Sequence, residues 1–511
     1  MTLHMRGENA VMTERGAWRW RDLARGFLPC VTAPLARPLW IASVTAASVI
    51  AVFSLVSYPL FQLIAFGDGA LFSLAALSDS PWHFFWQSFA TRATAYLISG
   101  LLPSFVLEAT GQPGWTLATY AILFGGMPLF SLAGAYLALP AGEKRQITWP
   151  CLWFSAVGML TFGFPTETWI MAAVFWPLLF VLRYRRGPWS LLGAGLLSLA
   201  FAFSHESFVL CLPVLLLAAR PGEGMLARWA IVICATAALF AVKNLVVPVN
   251  VQIISAVANN AANFLSAMKI AGDPIFLRLA LGAVLGAAAV FAWNARTWRG
   301  SAARLAVLAG LALAIAAVVF ANLDEIPTTR YLARTLVAIA LPCFGMAALM
   351  VRFVTPATVP NARENDSAVL RLPDWAGAAA VAASLAMAAV HLAHAGAFVA
   401  RFSALRADLR AMAGGAVQPP PESDYRLVPR SAGAPKAVDP AAWELTWYWA
   451  TPFLTVLSAK DFKPRHLVVH ANHTYSPMLC GDERLLSRLP AETVAMLKDY
   501  TCRIANNGEP P

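Results

Sequence analysis

The feature that most constrains this chain is a recurring apolar run of about twenty residues, long enough as a helix to cross roughly 30 Å of bilayer hydrocarbon. Such runs extend from Leu39 to Phe66, Trp115 to Leu139, Leu305 to Leu323 and Trp375 to Ala400. Composition agrees: 59% of the 511 residues are hydrophobic and 13% are charged, against roughly a quarter charged in soluble proteins. The fold class expected is an all-α polytopic membrane protein with about eleven transmembrane helices and a small extracytoplasmic C-terminal α+β domain. The net charge of +11 does not point to nucleic acid, because the basic residues sit in short tracts between apolar runs and form no aromatic-interleaved soluble face.

Those tracts give an orientation. Cytoplasmic loops collect Lys and Arg, which places inside the N-terminal arm 1–38 with Arg6, Arg15, Arg19, Arg21 and Arg25, then Lys144-Arg145, Arg183 to Arg186, Arg220 to Arg228, Arg296 to Arg304 and Arg352 to Arg371. The arm lacks the apolar core and cleavage site of a signal peptide and is read as retained in the cytoplasm. Spans then fit at 39–65, 115–139, 149–164, 168–182, 188–204, 207–219, 229–248, 275–293, 304–322, 335–353 and 375–399, with the C-terminus outside. The stretch Ala95 to Leu107 is short and holds Pro103, so it is expected as an interfacial or re-entrant helix that returns to the outer side. Arg92 and Lys269 fall outside, against the charge rule.

The organisation is thus an arm at 1–38, a membrane domain at 39–400 and an outer C-terminal domain at 401–511, entered through Pro419-Pro420-Pro421 and holding a strand pattern at His466 to His470. Cys151, Cys211, Cys234 and Cys343 lie in apolar runs, where a thiol acts as a small hydrophobe. Cys480 and Cys502 lie in the polar tail and form a disulfide if that tail is in an oxidising compartment. His466, His470 and His473 do not make an expected metal site, since strand alternation puts only the first two on one face. No phosphate-binding glycine loop or dinucleotide fingerprint is present, and the sequence names no cofactor.

With this orientation the polar clusters collect on the outer face. Asp68, between Gly67 and Gly69, follows the first span; the flanking glycines leave the backbone free to bring its carboxylate to a substrate. It is either a general base taking a proton from an acceptor hydroxyl or a helix-capping aspartate. Asp79 is the next acid. Glu167 and the pair His205-Glu206 sit in turns flanked by short spans, so their carboxylates lie below the membrane surface. They orient a substrate or pair with a basic side chain in the bundle. Arg330 and Arg334, four residues apart, share a helix face and suit a phosphate, unless Asp324 or Glu325 holds them.

The aspartate in the first exit loop, the many apolar spans, the polar outer turns and the trailing outer domain resemble the C-fold glycosyltransferases over residues 39–400. The resemblance implies sugar transfer from a polyprenyl-phosphate-linked donor to a glycan, lipid or protein acceptor at the outer leaflet of a bacterial inner membrane. Asp68 would be the base, Arg330 and Arg334 would hold the donor phosphate, and Asp79, Glu167, His205 and Glu206 would bind substrate. The competing classes are a transporter or flippase, which needs polar access from both sides, a surface-polysaccharide polymerase, and a non-catalytic assembly subunit.

Overall fold

In a computed structural model of the protein, the residues described are 30–31, 36–82, 92–219, 224–242, 326–350, 352–353, 374–419, 425–428, 445–447, 449–470 and 486–507. Most are helical. Helix α1 (Ala36–Phe61) leads through a 3-10 turn to α2 (Asp68–Ala76). Next come α3 (Ala93–Thr110), α4 (Pro113–Gly125), α5 (Met127–Ala138), α6 (Thr148–Ala156), α7 (Glu167–Tyr184) and α8 (Pro188–Ala202). The chain continues with α9 (Leu212–Ala218), α10 (Met225–Ala241), α11 (Ile326–Met350) and the long α12 (Asp374–Ala413).

Among the described residues four helical stretches are long and apolar enough to cross a membrane: Leu39–Phe61, Ala93–Thr110, Glu167–Tyr184 and Ser384–Ala413. The pair α4 and α5, bent by 46°, makes a fifth if it is one span. Pro188–Ala202, Ser207–Ala218, Met225–Ala241 and Val337–Met350 are apolar but shorter. The expected spans 275–293 and 304–322 lie outside the described residues. The expected helical class with membrane-length apolar helices is therefore met, while the described residues hold four or five candidate spans rather than the expected eleven. The expected single span 149–164 is broken: α6 gives way to a 3-10 turn at Gly158–Thr161.

The bend between α4 and α5 has a local cause. Pro128 has no N–H for the carbonyl of Phe124, so the ladder is interrupted there. Gly125 lets α1 come close, since a Cβ at that position would lie 2.8 Å from the Ser54 carbonyl oxygen and from Tyr58 Cβ.

Contacts along α7 give the bundle two distinct ends. Glu167 at its start bonds Arg92, and Arg185 just past its other end donates to the Ala138 carbonyl at 2.8 Å. The helices α4 and α5 run in the same general direction as α7: Phe124 meets Trp169, Gly134 lies against Pro177, and Ala138 meets Arg185. Helix α3, at 18 residues, is apolar and long enough to cross a membrane, longer than the short Ala95 to Leu107 stretch expected. At the end opposite Glu167, Lys144, Arg145, Arg183, Arg185, Arg186 and Arg228 gather. A short parallel pairing of β1 (Cys30–Val31) with β2 (Arg352–Phe353) also packs there.

The helix α12 does not stop where the apolar run stops. After Arg401 it becomes amphipathic, burying Phe402, Leu405, Leu409 and Met412 while exposing polar positions. Its 40 residues reach roughly 60 Å. On that extension sit α13 (Thr451–Ser458) and the antiparallel pair β3 (Tyr425–Val428) with β4 (Leu467–His470). The last helix is α14 (Ala491–Asn507). This C-terminal part shares one apolar core with the bundle, for α13 packs against α2 and Trp447 contacts Phe66 and Phe164.

Candidate functional site

The turn that presents Asp68 is held by rings. Phe66 packs edge-on against Phe164, Phe398 and Phe402, and Trp447 lies over both Phe66 and Phe164. Gly67 has φ +56°, and a Cβ there would lie 2.6 Å from the Trp447 ring and 2.7 Å from Phe164. At Gly69 a Cβ would fall 1.7 Å from the Ile64 carbonyl oxygen. The sequence suggested glycines that leave the backbone free; the structure shows glycines required by close packing, so the turn is fixed. Asp68 is the first residue of α2 with Gly67 as the cap, so it is not the capping aspartate of the alternative reading. Its side chain is half-exposed at the end of a helix that is otherwise buried. The N-terminal end of α2 favours the ionised carboxylate.

Beside it lies a buried ion pair. Arg92 Nη1 meets Glu167 Oε1 at 2.8 Å, with the two side chains 17% and 5% exposed. Glu167 opens α7, where the helix dipole also favours a negative charge, and Thr166 caps that end by accepting the Thr168 N–H at 3.4 Å. This pairing accounts for Arg92, the arginine that the charge rule had left on the wrong side. A Cβ at Gly69 would lie 2.3 Å from Pro165, two residues before Glu167, which puts the two carboxylates in one neighbourhood. Under them Tyr58, Phe124, Phe162 and Trp169 close the floor, ring against ring.

The His205 turn joins this face from α8. Nδ1 of His205 accepts the Ser207 N–H at 3.1 Å, which assigns the ring proton to Nε2 in the neutral form. Ser207 Oγ lies 3.5 Å from Met171 Sδ, one helical turn below Glu167. Thr94, two residues after Arg92, donates its hydroxyl to the Ala200 carbonyl at 2.8 Å, which fastens α3 to the end of α8. Glu206 opens a 3-10 turn, and its side chain lies outside those described, as do the side chains of Arg330 and Arg334 in the first turns of α11. The segment Asp324-Glu325 and the histidine at 473 also lie outside the described residues.

Asp79 stands apart from the carboxylate pair. Its backbone N–H donates to Ser487 Oγ at 3.0 Å, and its carboxylate bonds the Arg488 guanidinium. That hydrogen bond lowers the Asp79 pKa, outweighing the small opposing effect of burial. The acid thus ties the first loop to the C-terminal part. Cys502 is disulfide-bonded, and Cys480 lies outside the described residues. Cys151, Cys211, Cys234 and Cys343 are free thiols.

Three participants went unmarked in the sequence. Tyr58 accepts the Gly163 N–H at 3.0 Å and so pins the chain just before Glu167. Trp447 covers Gly67. His391, buried in α12, places Nε2 3.0 Å from the Ala156 carbonyl at the end of α6. Each is a polar or aromatic residue inside an apolar stretch, the one signal that could have marked it. No group of three metal-binding side chains occurs among the described residues. Comparison with known proteins gives no match, since no family model, characterised protein or solved structure is similar to this chain.

Proposed function

We propose that this chain is a multi-spanning membrane glycosyltransferase of a bacterial inner membrane. It transfers a sugar from a polyprenyl-phosphate-linked donor to an acceptor on the extracytoplasmic side. The carrying observation is that Asp68, half-exposed on a rigid turn, stands beside the compensated Arg92 and Glu167 pair above an apolar floor. A pathway across the membrane needs polar groups through its depth. Between Glu167 and Arg183 helix α7 has no charged residue, and its buried positions there are Thr168 followed by apolar side chains. Polar groups gathered at one end of the bundle suit catalysis better than passage.

In this proposal the basic end of the bundle is cytoplasmic by the charge rule, and the Glu167 face, with the C-terminal part, is extracytoplasmic. Helix α8 has 15 residues and rises only about 22 Å, so a turn at its far end stays below the surface of a roughly 30 Å hydrocarbon layer. The His205 turn is therefore sunk, and it lines a cavity reached from outside. Asp68 removes the proton from the acceptor hydroxyl as that oxygen attacks the anomeric carbon of the donor; the carrier phosphate leaves with the electrons of the broken bond. Glu167, held by Arg92, fixes the start of α7 beside the Asp68 turn. Arg330 and Arg334, on α11, are assigned the leaving phosphate. His205 and Glu206 contact the sugar or the acceptor.

The test is transfer of labelled sugar from polyprenyl-phosphate donors by the purified protein. Asp68→Asn should lower turnover by about 10²-fold or more, the scale of a lost general base, with the melting temperature unchanged. Substrate flux in sealed vesicles, with no turnover of any donor, would overturn the proposal in favour of transport.

A further inference from the structure

A groove of about 660 Å³ runs between α5, α7 and α8 at the basic end of the bundle, away from Asp68. Its walls are Phe130, Gly134, Pro177, Trp189, Gly193 and Leu197, and its mouth carries Arg185, Arg186 and Ser190. That volume lies within the roughly 300–1,000 Å³ of small-molecule sites. Two glycines form the hollow: a Cβ at Gly193 would meet nothing within 4 Å, and one at Gly134 would only touch Pro177 at 3.0 Å. The rim is apolar and open, with Trp189 82% and Leu137 69% exposed. In a bundle that lies in a bilayer, such a hollow faces hydrocarbon and takes up a hydrocarbon chain.

The charges at the mouth determine which lipid. The Arg185 side chain donates to the carbonyls of Ala138 and Leu139 at the end of α5. Arg228 does the same for the Leu182 carbonyl near the end of α7. These bonds satisfy the donors and leave the positive charge in place. Arg186 is exposed, with no hydrogen bond or ion pair among the described residues. Lys144, Arg145 and Arg183 add to the same face, where Glu143 is the only acid between residues 141 and 186 apart from Glu167 at the far end. A cationic cluster beside an interfacial Trp and an apolar groove is complementary to an anionic headgroup on an acyl chain.

We infer that this groove is a binding site for an anionic phospholipid of the leaflet at the basic end, with an acyl chain along α5, α7 and α8 and its phosphate on Arg186. The site is distinct from the proposed transferase centre and depends only on the protein lying in a membrane.

The full-length protein is exchanged into nanodiscs of mixed phosphatidylglycerol and phosphatidylcholine, extracted gently, and its retained lipid is counted by native mass spectrometry. Wild type should keep phosphatidylglycerol in preference to phosphatidylcholine. Arg186→Gln should cut that preference about fivefold, the weight of one interfacial cation. Gly193→Leu, which fills the hollow at a helical position, should lose the bound lipid. Both variants should melt like wild type in phosphatidylcholine alone. Equal retention of the two lipids by wild type would overturn the inference. So would wild-type retention by both variants, or displacement of the lipid by millimolar glycerol phosphate, which would mark a site for free phosphate.

Discussion

Gly67 shows how much one residue decides here. Its φ of +56°, and the rings 2.6 Å and 2.7 Å from where a Cβ would stand, leave no room for a side chain. Gly67→Ala should destabilise by roughly 2–4 kcal/mol, the combined scale of overpacking and backbone strain, and should lower turnover with it; a wild-type melting temperature would show that the turn is soft. Arg92 and Glu167 are coupled in the same way. Removing one partner of a buried pair costs about 3–5 kcal/mol, whereas replacing both with apolar groups recovers much of that. Arg92→Met and Glu167→Met should each melt lower than the double variant, and an additive double variant would show that the two do not interact. The sequence exposed each of these residues as an oddity but not the pairing. Residues 92 and 167 are 75 apart in sequence, and only the packing of α3 on α7 and α8 brings them together.

At the scale of the element, hydropathy located the helices well where each is uniform. The expected span 168–182 is α7, and 188–204 is α8 with its exit turn. It located their ends poorly where the solvent changes without the helix ending. Helix α12 continues through Arg401 because the new stretch keeps a buried stripe at helical spacing, so the boundary at 400 and 401 falls inside a continuous rod. The break within 149–164 was invisible for the converse reason: Gly158 and its neighbours are as apolar as a straight helix, and only the backbone reveals the 3-10 turn. The re-entrant course expected for α3 from Pro103 makes a prediction that separates it from a crossing, for which the helix is long enough. In a background lacking reactive cysteines, Gly111→Cys should react with an impermeant maleimide from the outside of intact cells, and Lys144→Cys only after permeabilisation. Labelling of both from one side would sink the topology.

At the scale of the whole molecule, the contact between Asp79 and Arg488 joins the first loop to the C-terminal part across 409 residues of sequence. Because the folded pKa of Asp79 is depressed, this contact adds stability above the ordinary aspartate value of about 3.9 and loses it as pH falls through the lower folded value. The protection of residues 486–489 against hydrogen exchange, taken relative to the intrinsic rate at each pH, should therefore be high at neutral pH and fall in acid. In Asp79→Asn it should already be lower at neutral pH and lose the part of the acid response that comes from this carboxylate. Unchanged exchange in the variant would show that the contact carries no weight. None of this could be seen in the sequence, where Asp79 is an acid in a loop and Arg488 a base in a tail.

The placement of Trp447 over Gly67 also orders events in time. A ribosome delivers Asp68 to the membrane long before it delivers the ring that locks the turn beside it. While the chain is still growing, that acid rests on an unfinished support, and the nascent protein has its early helices without the finished turn. Activity should therefore appear abruptly, late in synthesis, once the segment around residue 447 has emerged and folded back. Quality control that samples earlier stages would meet that turn uncovered.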